Sequence, residues 1–167
     1  PLEDGWRSEQ VSENINKQLK KLAKLLQHAD KLSDDSLNGV LAGEFSAPSL
    51  QTKSESSVFS DGSLEVIRPA SQNAATAETR SIRRGDLATE IQQLLGTDAG
   101  QQTHVTFKLT NIELDAATAK TVCDFEASII GQRERTQLNA VWHCTWDSID
   151  TTSPKLRSVR VEDFERL

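Results

Sequence analysis

Between His104 and Phe164 the chain alternates apolar and polar residues with a period of two, over far more length than a single hairpin needs. Val105, Phe107 and Leu109 alternate with His104, Thr106, Lys108 and Thr110. Ile112 and Leu114 resume the apolar face one residue out of step, which predicts a bulge near Thr110-Asn111. Cys123, Phe125, Ala127 and Ile129 alternate with Asp124, Glu126 and Ser128; beyond a turn around Gly131 to Glu134, Leu138, Ala140, Trp142, Cys144 and Trp146 alternate with Asn139, His143 and Thr145. Leu156 to Phe164 alternates less cleanly, with Val159 and Val161 on one face. Successive side chains of a strand point to opposite faces, so these are four long antiparallel strands with one apolar face. An apolar sheet face of that size must be covered by the rest of the chain.

The cover comes from amphipathic helices. Val11, Ile15, Leu19, Leu22, Leu25 and Leu26 are spaced by threes and fours and form one stripe. Lys17, Lys20, Lys21 and Lys24 fill the other face, which reads as a solvated surface rather than a lipid contact in so acidic a chain. Ser33-Asp34-Asp35 predicts the cap of a second helix through Leu37, Val40 and Leu41, closed by Gly43, with Phe45 anchoring its exit. Asp86 is expected to cap a third, with Leu87, Ile91, Leu94 and Leu95 inward and Gly96 at its end. Between them, Val58 to Ile67 suggests two short strands about Ser60-Asp61-Gly62-Ser63, and Pro69 stops the second. Residues 1–10 are expected to be flexible and 70–80 to be a mobile loop, within a single domain spanning 1–167. The fold class is therefore α+β, a curved antiparallel sheet wrapped around an N-terminal helical pack.

Composition narrows the function. The 167 residues carry 19 basic and 25 acidic side chains, net −6, which argues against nucleic acid as a partner. No apolar run reaches the roughly 20 residues of a membrane-spanning helix. The chain begins at Pro1, as a removed leader or a cut from a longer chain would leave it, and the compartment stays open.

The order of elements, from INKQLKKLAKLL to FKLTNIELDAATAKTVCDFEAS, TQLNAVWHCTWD and KLRSVRVEDFERL, resembles the NTF2-like (SnoaL-like) superfamily of cone folds. More narrowly, AVWHCTWD followed by LRSVRVEDFERL resembles a domain preceding FG-GAP/UnbV-type repeats in large exported bacterial proteins. The broader resemblance implies a pocket between the concave sheet face and the long helix, used by isomerases, cyclases and dehydratases, by binders of small apolar ligands, or simply plugged. It also implies that members dimerise through the sheet. The narrower one favours an exported or periplasmic protein.

An isomerase of that fold uses a carboxylate base with an oxyanion donor set of tyrosine and a protonated acid. This chain has no tyrosine, so that set is excluded. Asp124, Glu126 and His143 are the candidate bases, yet alternation puts all three on the face opposite Phe125 and Trp142. Asp124 and His143 are expected to oppose each other, as a catalytic pair or as a cross-strand charge pair. The same register opposes Cys123 and Cys144, leaving a strained disulfide or two buried thiols open. Phe45, Phe59, Phe107, Phe125 and Trp142 are the candidates to line an apolar ligand pocket, or else to form the core. Arg83-Arg84 before the third helix could meet an anion there, although Asp86 competes for the same amides. His28, His104 and His143 fall on separate elements, so neither a metal nor another cofactor is expected. The expectation is a non-catalytic module that holds a small apolar ligand or pairs through its sheet with another copy or a neighbouring domain. A SnoaL-like isomerase or lyase is the alternative.

Overall fold

The structure, a computed structural model, describes residues 2–48, 50, 81–98 and 100–167. Phe59, the strands expected within 58–67 and the loop expected at 70–80 lie outside the described residues. Helix α1 spans Leu2–Gln27, so residues 2–10, expected to be flexible, take part in it. Its stripe of Val11, Ile15, Leu19, Leu22 and Leu26 is buried, and Lys17 on the opposite face reaches Glu13 one turn back at 3.7 Å.

The second helix, α2 (Asp34–Leu37), is a single turn. Ser33 caps it as expected, its hydroxyl accepting from the Ser36 amide at 3.3 Å. The chain then leaves the helix and becomes strand β1 (Leu41–Ala47), so Leu41, Gly43 and Phe45 belong to a strand rather than to a helix and its exit. Tertiary pairing overrides local spacing here, because β1 lies parallel to the last strand, Leu41 against Leu156 and Ser46 against Ser158. Strand β2 (Ile82–Arg83) pairs with the end of β1 and leads through a short 3-10 turn into α3 (Leu87–Leu95). Gly96 ends α3 at φ +83°, a conformation that favours glycine. Asp86 does not cap α3; its carboxylate accepts from the Arg83 amide at 3.2 Å instead.

Four long strands follow: β3 (Gln102–Leu114), β4 (Ala119–Ile130), β5 (Arg135–Asp147) and β6 (Lys155–Arg166). The six-stranded sheet has the order β2-β1-β6-β5-β4-β3. The bulge at Thr110 is present, between the pairs Leu109–Cys123 and Asn111–Val122. Two irregularities in the pairing of β5 with β6, near Arg157 and near Asp163, explain the poor alternation of the last strand. Each shifts the inward parity by one, so Leu156, then Val159 and Val161, then Phe164 are buried. Bulges bend strands, and these curve the sheet around the helices.

The β4–β5 register differs from the expected one. Gly131 and Glu134 close a two-residue turn, Gly131 N donating to Glu134 O at 2.8 Å, which centres the hairpin on Gln132-Arg133. Every expected pair is thereby displaced by two residues while the inward set is unchanged. Cys123 lies opposite Trp142 and Cys144 opposite Thr121, while Asp124 lies opposite Val141 and His143 opposite Val122. Among the described residues no helix is long and apolar enough to cross a membrane.

Candidate functional site

The concave face of the sheet is filled. Phe107, Phe125 and Trp142 meet with ring centroids 5.0 to 5.3 Å apart, Phe125 stacked on Trp142 and Phe107 edge-on to it. Phe125, Trp142 and Phe45 are each at most 3% exposed. These candidates for a ligand-lined cone form the core together with the α1 stripe. Among the described residues the buried polar side chains are Asn14, Gln18 and Thr121, and each has a partner. Asn14 donates to Thr151 O at 3.3 Å, and Gln18 donates to Gly39 O at 2.9 Å and Pro154 O at 2.7 Å, so α1 holds the β5–β6 loop. Thr121 Oγ1 accepts from Trp146 Nε1 at 3.0 Å.

Cys123 and Cys144 are free, buried thiols, set diagonally rather than face to face. Hydrogen bonding to Cys123, and then burial, push the Cys144 thiol well above the ordinary thiol range.

Among the described residues one cavity of about 600 Å³ runs along α1 beside Ile112 of β3, and another lies on the outer face of the sheet. A trough of about 610 Å³ crosses two rungs of the ladder at the β3–β4 turn end. Glu113, Lys120, Thr145, Ser158 and Ser46 form one rung, from β3 across to β1. Asn111, Val122, His143 and Arg160 form the next. Pro48 and Ser81 wall it at the β1 end. His143 Nε2 and Arg160 both contact the Glu162 carboxylate, the former at 3.3 Å. The other weak catalytic candidates do not join them. Asp124 sits one rung higher between Lys108 and Val141, and Glu126 lies another rung up beside Thr106 and Asn139. Alternation places the candidate bases on this face; the trough itself gathers residues of β1, β3, β4, β5 and β6, a grouping that the sequence does not mark.

Arg84 is engaged by Asn38 rather than facing the start of α3. His28, His104 and His143 stay on separate elements, and the described residues contain no group of three potential metal ligands.

No protein-family model matches the chain, and a search of curated proteins finds no match. Solved structures do resemble it. The Kfla4162 protein from Kribbella flavida is 12% identical with a TM-score of 0.60, over 95% of each chain. An NTF2-like superfamily protein from Salmonella enterica is 10% identical with a TM-score of 0.57, over 93% of this chain and 92% of that one. ActVI-ORFA from Streptomyces coelicolor is 11% identical with a TM-score of 0.54, over 93% and 96%. The fold is therefore NTF2-like, and the comparisons lend no support to the narrower FG-GAP resemblance.

Proposed function

We propose that this NTF2-like chain is a non-catalytic binding module that works from the outside of its cone, with the outer-face trough as its ligand site. One observation carries the reading: the concave face is occupied by apolar side chains, while a cavity of small-molecule size lies on the opposite face. An isomerase or lyase would need a carboxylate or imidazole facing the interior, and among the described residues the buried polar groups are two amides and a hydroxyl. The expected apolar ligand gives way to a polar one, because Lys120, His143, Thr145 and Arg160 set the character of the trough.

Pairing through the sheet is the second reading. The trough is cationic, whereas the two rungs above it carry Asp124, Glu126, Glu162 and Glu165 against Lys108. A second copy related by a two-fold axis would lay its acidic rungs over the trough of the first.

A thermal-shift screen of small polar molecules tests the proposal. Stabilising ligands should lose their effect in Thr145→Trp, which plugs the trough, and keep it in Phe125→Leu, which loosens the interior. The opposite pattern would return the site to the cone. Sedimentation equilibrium of the unliganded protein decides the second reading, since pairing requires a dimer that dissociates as salt rises.

A further inference from the structure

Resting on the trough as the ligand site, we infer that its ligand is a small hydroxylated organic anion, a hydroxycarboxylate or a sugar phosphate, whose charged group lies between Lys120 and Arg160. Lys120 on β4 and Arg160 on β6 flank β5 on neighbouring rungs, so their backbones stand about 12 Å apart, two strand spacings across and two residues along. Thr145 and His143 on β5 form the floor between them, each paired in the ladder with one of the two cations. An anionic group resting on that floor is within reach of both long side chains.

The donors are uncommitted or only partly used. Among the described residues Lys120 has no ion-pair partner within 4 Å, although Glu113 is its neighbour on β3. Arg160 gives one terminal nitrogen to Glu162, and a guanidinium has five N–H donors. The hydroxyls of Thr145 and Ser158 make no hydrogen bond to the described residues. An acceptor explains the hydroxylated class. Glu113 closes the β3 end. Its carboxylate accepts from ligand hydroxyls, which an inorganic oxyanion at neutral pH supplies poorly.

Electrostatics points to the same place. On a chain of net charge −6 an anion is repelled by most of the surface. The trough sets Lys120 and Arg160 against Glu113, while the two rungs above it hold four acids against Lys108. Glu162 anchors Arg160 and His143 from the acidic side, so the cation facing the trough is held in place before a ligand arrives.

Amide NMR titration of the full chain with citrate, glucose 6-phosphate and glucose, at constant ionic strength, tests this. Citrate or glucose 6-phosphate should give saturable shifts at residues 120–122, 143–145 and 158–160. Lys120→Gln combined with Arg160→Gln should weaken them by at least about tenfold, while Lys108→Gln changes them by less than about twofold. Both cations are exposed, and well-dispersed spectra of the variants will confirm folding. Saturation by glucose alone would overturn the anion assignment and leave the trough as a binding site. Silence from all three would overturn both, and anion shifts that persist in the double variant would mark nonspecific association and overturn the inference.

Discussion

Thr121 shows how little polarity the interior tolerates. It is 2% exposed, and its hydroxyl accepts from the indole of a Trp146 with no exposed surface. Thr121→Val keeps the shape and leaves that N–H without a partner, so chemical denaturation should show a loss of about 1–3 kcal/mol. Thr121→Ser, which keeps the acceptor, should lose less. Cys144 is one rung-mate away and makes a pH prediction. Its thiol pKa is raised in the folded protein, so the neutral form is favoured there and the unfolded chain ionises first. The contribution is fully present below the ordinary thiol pKa of 9.0 and is lost as pH rises from there through the folded value. The urea midpoint should therefore fall above about pH 9 more steeply for this protein than for Cys144→Ala. Both thiols should resist modification in the native state and titrate as two on unfolding.

At the scale of elements, the bulges decide more than the strands do. Asp163 sits at φ +52° in β6, a conformation that aspartate tolerates and a β-branched residue does not. Asp163→Val should cost about 1–3 kcal/mol, whereas Asp163→Gly should stay within about 1 kcal/mol of the parent protein in the same denaturation assay. Such positions also mark where the sequence is silent. The period-two pattern from Val105 to Trp146 revealed β3, β4 and β5, their inward residues and the bulge at Thr110, because burial on one face leaves a strict alternation. It could not separate two hairpin registers two residues apart, since both keep the same side chains inward. That ambiguity is why Cys123 and Cys144, and Asp124 and His143, were expected face to face. Leu37, Val40 and Leu41 fit a helical spacing, yet Leu41 opens β1, because the contact that overrides the spacing is with β6, more than a hundred residues away. The trough is illegible for the same reason: its residues come from five strands that only the folded sheet brings side by side.

At the scale of the molecule, the fold divides labour between two faces of one sheet. The concave face supplies cohesion, and among the described residues it buries no carboxylate or imidazole, its titratable groups there being the thiols of Cys123 and Cys144. The convex side carries the charge, sorted into a cationic trough and an acidic band. Function can thus change on one side without disturbing the other, and the substitutions proposed for the trough should leave stability nearly unaltered. The parallel pairing of β1 with β6 carries a consequence for assembly in time. β3 to β6 are joined by short turns and can zip together locally, but Leu41 meets Leu156 across more than a hundred residues of intervening chain. Closing so long a loop is entropically costly until the meander has already built a surface to dock on. Kinetic φ-values should accordingly be high around the Gln132-Arg133 turn and low in β1, so that Leu41→Ala chiefly accelerates unfolding. The strand that completes the sheet, and with it one wall of the trough, is then the last to arrive and the first to leave.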